Sequence, residues 1–506
     1  MMAALFMKLA GGGAREKPNA AEQTVRKPGV AGSFYPANPA SLANLIDDMV
    51  AKAAPPPATG EILAAVAPHA GYEYSGPVAA YTYAALKGHT YSRVVVIAPS
   101  HFEAFDFTSV YDGDAYETPL GAVPADKDFA ARLAKMDASI RLSGRGQMPT
   151  AQGAEHAIEV QLPWLQRVLG HFTLVPIVMG DQSYESSRAL GVALASLIHR
   201  EEAASRHAEA GATLILASSD LSHYHTYNDA ETMDRKTLHG LASWDYFTMS
   251  RNFESRVWEA CGGAPIVAAM IASERLGANQ VQVLRYANSG DVTGDRSRVV
   301  GYSADLFVKA PGEAKVEHAF ALSDAEKDVL LALARKSVEH AVRERSLYEP
   351  VPVADQALNQ DRGVFVTVKE AGNLRGCIGY TAATKPLYLT VRDTATLAAM
   401  RDPRFAPVTA QELPQLQYEV SVLSPLRHVM NVHQIQVGQD GLLMKNGANE
   451  GLLLPQVPVE QHWSRTRFLE ETCMKAGMQR DCWKSDETDI FAFTAVVFGD
   501  HKAAAQ

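Results

Sequence analysis

The chain has 506 residues, more than one ordinary hydrophobic core can organise, so we predict two or more domains. Its 57 acidic residues outnumber its 47 basic ones, and the net charge of -10 argues against a nucleic-acid partner, although small anionic ligands are not excluded. No apolar run in the sequence reaches the roughly 18 residues of a membrane span, so no membrane partner is expected either.

The N-terminal segment and the cysteines bear on the cellular location of the protein. Residues 1–27 contain a short apolar stretch that Lys8 interrupts, with no basic region before it, so we predict a disordered leader. The four cysteines include no CxxC pair. This pattern predicts neither a disulfide framework nor a structural zinc site, and it favours a reducing, cytoplasmic location.

The first half has the pattern of an α/β domain. Asn38 and Pro39 supply an N-cap and a first-turn proline for a helix predicted at 40–53. Six segments are short and strongly apolar, as expected of strands buried in a sheet: 62–69, 93–101, 172–180, 212–223, 280–288 and 297–308. Because segments of helical spacing lie between several of them, we predict a sheet with helices on both faces over residues 28–309.

The composition changes at 308–327, where proline, glycine and charged residues replace the apolar strands. We therefore place a linker at 310–322. Ser323 and Glu326 then form a capping box in front of a predicted helix. A second, smaller domain is predicted from here to residue 500.

This second domain, 323–500, is predicted to be α+β. Residues 363–380 have the pattern of two alternating strands around an Ala-Gly-Asn turn. Further strand patterns lie at 418–424 and 490–498. Together with the capped helix they predict a fold class of mixed α/β followed by a smaller α+β unit.

Three predicted strands of the first half end in polar side chains. His69 follows ILAAVAP, His101 follows VVVIAPS, and Asp220 and His223 follow TLILASS. One such histidine alone would more often bond a nearby carbonyl group than a ligand. Because strand carboxyl ends border the ligand crevice of an open α/β sheet, three of them in one domain favour a functional site.

Cys261 and His156 are further candidates for this site. Cys261 precedes two glycines and an apolar helical run, so it is either a small core residue or a thiolate available to a metal. His156 lies in AEHAIEVQLPWL, which lacks the second histidine of a metalloprotease helix. We predict either a hydrogen-bond donor at the pocket rim or an exposed helix turn for His156.

Six motifs follow one another along residues 28–308: AGSFYPANP, APHAGYEYSG, IAPSH, EHAIEVQLPWL, SSDLSHY and CGGAPI. In this order they resemble the motifs of the Memo family. The family is similar in fold to class III extradiol dioxygenases, which implies a mixed sheet with a pocket at the strand ends. The resemblance implies His69, His101 and Cys261 as metal ligands, with Asp220 and His223 beside them. It implies Fe(II) as the metal, with copper or zinc as alternatives, and Cys261 in place of the usual glutamate.

The second half resembles AMMECR-type domains through LRGCIGY, DPRF, GLLLPQVP and FLEETCMKAG. Arg375, Cys377, Asp402 and Arg404 are candidates for a polar pocket there, with a core position for Cys377 as the alternative. Fused Memo and AMMECR-type halves resemble the bacterial AmmeMemoRadiSam system. That resemblance implies a radical S-adenosylmethionine protein as partner, and this chain lacks the CxxxCxxC motif of such an enzyme.

The leading functional hypothesis is a non-haem iron-dependent oxidoreductase acting on a small molecule or a peptide. His223, oriented by Asp220, would move a proton beside the metal, and His156 would line the pocket. Two other functions stay open at this point. One is an adaptor module that captures a peptide or metabolite without catalysis, and the other is a zinc hydrolase.

Overall fold

The computed structural model of the protein describes residues 24–151, 153–204, 212–312 and 320–500. Most of the predicted leader and residues 313–319 of the predicted linker therefore lie outside the described residues. No helix in the described part of the chain is long and apolar enough to cross a membrane.

The strands of the first half are β1 (Val25–Arg26), β2 (Glu61–Ala67), β3 (Arg93–Pro99), β4 (Thr108–Val110), β5 (Ala115–Thr118), β6 (Gly121–Pro124), β7 (Ile140–Leu142), β8 (Thr173–Met179), β9 (Thr213–Ser218), β10 (His223–His225), β11 (Gln280–Asn288) and β12 (Val299–Lys309). Its helices are α1 (Pro39–Lys52), α2 (Tyr72–Leu86), α3 (Lys127–Leu133), α4 (Leu162–Leu169), α5 (Tyr184–Ala204), α6 (Tyr227–Ala242), α7 (Tyr246–Glu254), α8 (Gly263–Arg275) and α9 (Ser289–Thr293). All six apolar segments predicted as strands form strands, and the predicted N-cap of α1 is confirmed, since the Asn38 side chain accepts from the Ser41 N–H.

The main sheet of this half is mixed, as predicted. Its strand order is β10-β12-β2-β9-β3-β8-β4-β7, with β11 beside β12. The four central strands β2, β9, β3 and β8 are parallel to one another, whereas β12 and β4 run against them. The carboxyl ends of the central strands therefore lie at one edge of the sheet, and this edge carries the candidate site.

Two hydrophobic cores cover the two faces of this sheet. In β3, Val94 and Val96 pack into one core while Val95 and Ile97 pack into the other. Because both faces are buried, the strand reads as a continuous apolar run rather than an alternating one.

The second half has the strands β13 (Val364–Glu370), β14 (Asn373–Tyr380), β15 (Leu416–Leu423), β16 (Arg427–His428), β17 (Gly441–Asn446), β18 (Asn449–Leu453), β19 (Asp489–Phe493) and β20 (Ala495–Gly499). Its helices are α10 (Asp324–Glu344), α11 (Leu387–Met400), α12 (Gln456–Glu460) and α13 (Arg465–Lys475). The predicted capping box of α10 is confirmed, because Ser323 and Glu326 cap each other's backbone. The predicted hairpin is also confirmed, with Ala371 at φ 51° and Gly372 at φ 81° in its turn.

These strands form two antiparallel sheets, in the orders β14-β13-β15-β20 and β16-β19-β17-β18. The segment 490–498, which carries one continuous strand pattern, supplies β19 to one sheet and β20 to the other. The chain changes sheet at Thr494, whose N–H donates to the Ser424 hydroxyl. The α+β class of this half is confirmed.

The two halves share a buried interface. Phe247 of α7 packs on Phe491 of β19, with ring centroids 5.0 Å apart. Beside this contact, buried Asp489 accepts hydrogen bonds from the Tyr184 hydroxyl at 2.7 Å and the Arg188 guanidinium at 2.6 Å. The second half is therefore packed against the first rather than tethered beside it.

Cys473 and Cys482 form a disulfide, which the sequence pattern did not predict. The two residues are nine apart, and only the turn after α13 brings their Cα atoms to 5.8 Å. Cys261 and Cys377 are free thiols. The cytoplasmic location inferred from the cysteine pattern stays a prediction.

Candidate metal centre

Two strand ends and one helix start bring His69, His101 and Cys261 together. Their potential ligand atoms all lie within 4.8 Å of one another. The Nε2 of His69 is 3.0 Å from the Sγ of Cys261, and the rings of His69 and His101 are nearly perpendicular with centroids 5.1 Å apart. The structure therefore places all three predicted ligands at one point on the sheet edge.

The hydrogen bonds of Ser218 fix the tautomer of His69. The Ser218 hydroxyl donates to the carbonyl oxygen of Ala157 at 2.6 Å and accepts from the Gln161 amide nitrogen at 2.7 Å. With its single proton used, this hydroxyl accepts from the Nδ1–H of His69 at 2.9 Å. Burial lowers the pKa of His69 well below its ordinary value. The ring is thus neutral, and its unprotonated Nε2 faces Cys261.

Glu155 orients His101. Its carboxylate accepts from the His101 N–H at 2.7 Å and from the Nδ1–H of the same residue at 3.0 Å. Burial raises the pKa of Glu155, but the hydrogen bond from His101 and the charge of that ring outweigh burial and bring the pKa to about 2. Since Nδ1 is held by a carboxylate, His101 presents Nε2 to the cluster, as metal-binding histidines commonly do.

Cys261 reaches the cluster because Gly262 lets the chain approach β9. A Cβ atom on Gly262 would lie 2.4 Å from the carbonyl oxygen of Ser218. The Sγ of Cys261 accepts from the Asp220 N–H at 3.3 Å, and Asp220 in turn accepts from the His69 N–H at 2.8 Å. Burial and the charge of Asp220 raise the pKa of the Cys261 thiol. The thiol is therefore protonated without a metal, and a divalent ion would deprotonate it.

His223 is not oriented by the Asp220 side chain, contrary to the prediction. Its Nδ1–H donates to the carbonyl oxygen of Leu221 at 2.8 Å, and its backbone N–H donates to Glu259 at 3.3 Å. The carboxylate of Asp220 is instead directed to the backbone of His69. A local backbone contact thus holds the ring of His223 and leaves its Nε2 as the basic nitrogen.

His156 lies largely buried beside His69 and His101 rather than on an exposed helix turn. Its ring packs between Phe34 and His101, with centroid distances of 4.6 and 4.9 Å. Burial and the neighbouring His69 lower the pKa of His156 to about 4. The helix begins only after it, with a short 3-10 turn at Glu159–Gln161 that leads into α4.

Comparison with known proteins decides the family of this chain. A sequence model described as Memo-like protein matches residues 26–306, and one described as AMMECR1 matches residues 331–498. The chain belongs to the Memo-like family. Membership in this family is in keeping with an extradiol-dioxygenase-like fold. The second half matches a different family, AMMECR1.

The chain is similar to two MEMO1 family proteins and, over part of its length, to one solved structure. A MEMO1 family protein of Methanopyrus kandleri is 36% identical over 295 residues, which are 56% of this chain and 98% of that protein. One of Methanothermobacter thermautotrophicus is 37% identical over 287 residues, which are 55% of this chain and 99% of that protein. A crystal structure of an uncharacterized protein from Pyrococcus horikoshii shares 38% identity, covering 36% of this chain and 95% of that chain, with a TM-score of 0.35.

Sequence reasoning missed the residues that orient the ligands of the Memo-like half. Glu155 stands directly before His156, and Gln161 and Ser218 are polar positions in apolar surroundings. A buried polar residue needs a partner, so polar side chains in otherwise apolar segments are the signal that could have found them.

The polar pocket predicted in the AMMECR1 half forms only in part. Asp402 accepts from the Cys377 N–H at 2.8 Å and from the Arg404 guanidinium at 2.9 and 2.7 Å. Arg375 turns away and donates to Glu412 at 2.7 Å. Burial raises the pKa of Cys377. These contacts fit a structural role, in which Asp402 ties a loop to β14.

Replacing Glu155 with glutamine should weaken metal binding about 10- to 100-fold, because His101 loses the carboxylate that fixes its ring. In the metal-free variant the pKa of His101 should fall, because in the wild-type protein the hydrogen bond and charge of Glu155 raise it. Competition titration measures the affinity, and NMR titration of the imidazole measures the pKa. Glu103→Gln is the matched control, because Glu103 bonds Gly146 instead. Unchanged affinity in Glu155→Gln would rule out the orienting role.

Proposed function

We propose that the Memo-like half is a non-haem iron-dependent oxidoreductase acting on a small molecule or a peptide. The observation that carries the proposal is the convergence of two imidazole nitrogens and one thiol sulfur within 4.8 Å, beside the carboxyl ends of parallel strands. Such strand ends are where α/β sheets bind their ligands.

The donor set fits a resident metal ion. The Nδ1–H of His69 donates to Ser218, and the Nδ1–H of His101 donates to Glu155. The Nε2 of each ring therefore keeps a lone pair for the ion. Imidazole and thiolate ligands suit iron, copper and zinc, and three protein ligands leave positions for exogenous molecules. Bound iron would supply one-electron redox chemistry and a place to activate dioxygen.

The surrounding residues would then handle protons and substrate. His223 can accept or return a proton at Nε2, because its Nδ1–H is held by a carbonyl oxygen. His156, with its pKa lowered to about 4, stays neutral near pH 7 and lines the pocket without adding charge. Asp220 holds the backbone of His69 and so keeps this ligand at its strand end.

A radical S-adenosylmethionine protein is the proposed partner, on the resemblance of the fused halves to the AmmeMemoRadiSam system. Buried residues of both halves pack into one hydrophobic core. An adaptor chain with independent modules would not need a common core, so this packing supports one functional unit.

Oxygen uptake by the iron-loaded protein tests the proposal. The full chain is purified without oxygen, loaded with one equivalent of Fe(II), and followed with an oxygen electrode and by absorption. Uptake above that of free iron, lost in Cys261→Ser, is the expected result. No uptake would contradict an oxidoreductase and favour an adaptor. Retention of zinc with ester or amide cleavage under nitrogen would instead favour a hydrolase.

A further inference from the structure

A cleft in the AMMECR1 half collects residues from three of the sequence motifs that characterise this half. Gly379 and Tyr380 come from LRGCIGY, Gly451 and Leu452 from GLLLPQVP, and Lys475 from FLEETCMKAG. The cleft has a volume of about 320 Å³ and lies between the two antiparallel sheets of this half. Segments up to about a hundred residues apart in sequence thus meet at one concave surface of ligand size.

Two glycines shape the floor and the wall of the cleft. A Cβ atom on Gly379 would lie 2.3 Å from the ring of Phe365, so only glycine lets this ring lie across β14. A Cβ atom on Gly451 would lie 2.4 Å from the backbone nitrogen of Ala476, so only glycine lets β18 meet the end of α13. Leu443 and Leu452 complete an apolar lining beside the Phe365 ring.

The charges at the cleft leave a surplus cation. Glu450 is paired with Arg251 of the Memo-like half, with 3.3 Å between Oε2 and Nη1. Lys475 lines the same cleft on an exposed last turn of α13, and no acidic side chain in the described residues forms an ion pair with it. An ammonium group beside an apolar, ring-bearing floor favours an anionic ligand with an apolar body.

We propose that this cleft binds a small organic anion with a planar apolar body. Its anionic group, a carboxylate or a phosphate, contacts the Lys475 ammonium group, and its ring lies on Phe365. Arg251 supports the site from the other half by neutralising Glu450. The proposal is independent of the metal centre, because no residue of the cleft belongs to the metal cluster.

Ligand-observed ¹⁹F NMR with the full chain tests this site. The probes are 4-fluorobenzoate and 4-fluorophenyl phosphate, with 4-fluorobenzyl alcohol as the neutral counterpart. At least one anion should bind saturably and more tightly than the alcohol, and the better anion identifies the group that the site prefers. Failure of both anions to bind, or equal binding of the alcohol, would overturn the proposal.

Variants locate the binding on the protein. Lys475→Gln should weaken anion binding about three- to fivefold, as expected for loss of a solvent-exposed ion pair. Lys336→Gln, at an exposed position on α10, should leave it unchanged. Anion should also slow acylation of the Lys475 amine, read by mass spectrometry. Equal binding by wild type and Lys475→Gln, or no protection of this amine, would overturn the site.

Discussion

Replacing His69 with alanine should abolish stoichiometric metal binding. The variant loses the nitrogen that faces Cys261 at 3.0 Å, and it leaves the Ser218 hydroxyl without one of its hydrogen-bond donors. A site reduced to one histidine and one cysteine lacks the three protein ligands typical of a catalytic metal centre. Metal per chain, measured after anaerobic reconstitution with Fe(II) and desalting, should fall from about one to near zero.

Two further variants make this result specific. Cys261→Ser keeps the size of the third ligand but replaces the sulfur, and it should also lose the metal. His171→Ala removes an exposed histidine of the same half and should keep it. Stoichiometric iron retained by His69→Ala, with an unchanged melting temperature, would refute the proposed centre and with it the iron-dependent function.

Replacing Glu159 with alanine should destabilise the Memo-like half by about 3–5 kcal/mol, because removing one partner of a buried ion pair leaves the other charge buried and unpaired. Glu159 is fully buried and pairs with Arg26, whose side chain is 1% exposed. The same carboxylate accepts from the backbone N–H groups of Gly29 and Val30 at 2.8 and 3.0 Å and from the Tyr35 hydroxyl at 2.6 Å. The substitution would leave a buried guanidinium and three donors without this acceptor.

Urea denaturation followed by circular dichroism measures the change in free energy of unfolding. The matched control is Glu117→Ala, because Glu117 pairs with Lys27 at positions 38% and 70% exposed. Such an exposed pair is worth about 0–1 kcal/mol. A loss of stability in Glu159→Ala no larger than that in Glu117→Ala would contradict the structural role of the buried pair.

The two histidines of the candidate metal centre were predictable from the sequence because they follow strand ends. Val, Ile and Ala runs mark buried parallel strands, and His69 and His101 follow two of them directly. Parallel order then places both at the same edge. The position of Cys261 was open between core and ligand, because its contact with His69 joins residues 192 apart in sequence.

The orientation of the same side chains could not be predicted. His101 follows the end of β3, but the carboxylate that orients its ring belongs to Glu155, 54 residues away. His223 turned to its own backbone rather than to Asp220, since a carbonyl two residues away was within reach at 2.8 Å. The disulfide between Cys473 and Cys482 likewise depends on how the chain turns after α13.

The sequence by itself determined the class of each half, the capped helices, the hairpin and the strand ends that deliver His69 and His101. These features depend on hydrophobic periodicity and on hydrogen bonds between residues a few positions apart. Only the tertiary structure decided which ring nitrogens face the site, how Cys261 reaches it and where the AMMECR1 half forms its cleft. The physical reason is that each of these depends on packing between segments distant in the chain, which local patterns do not encode.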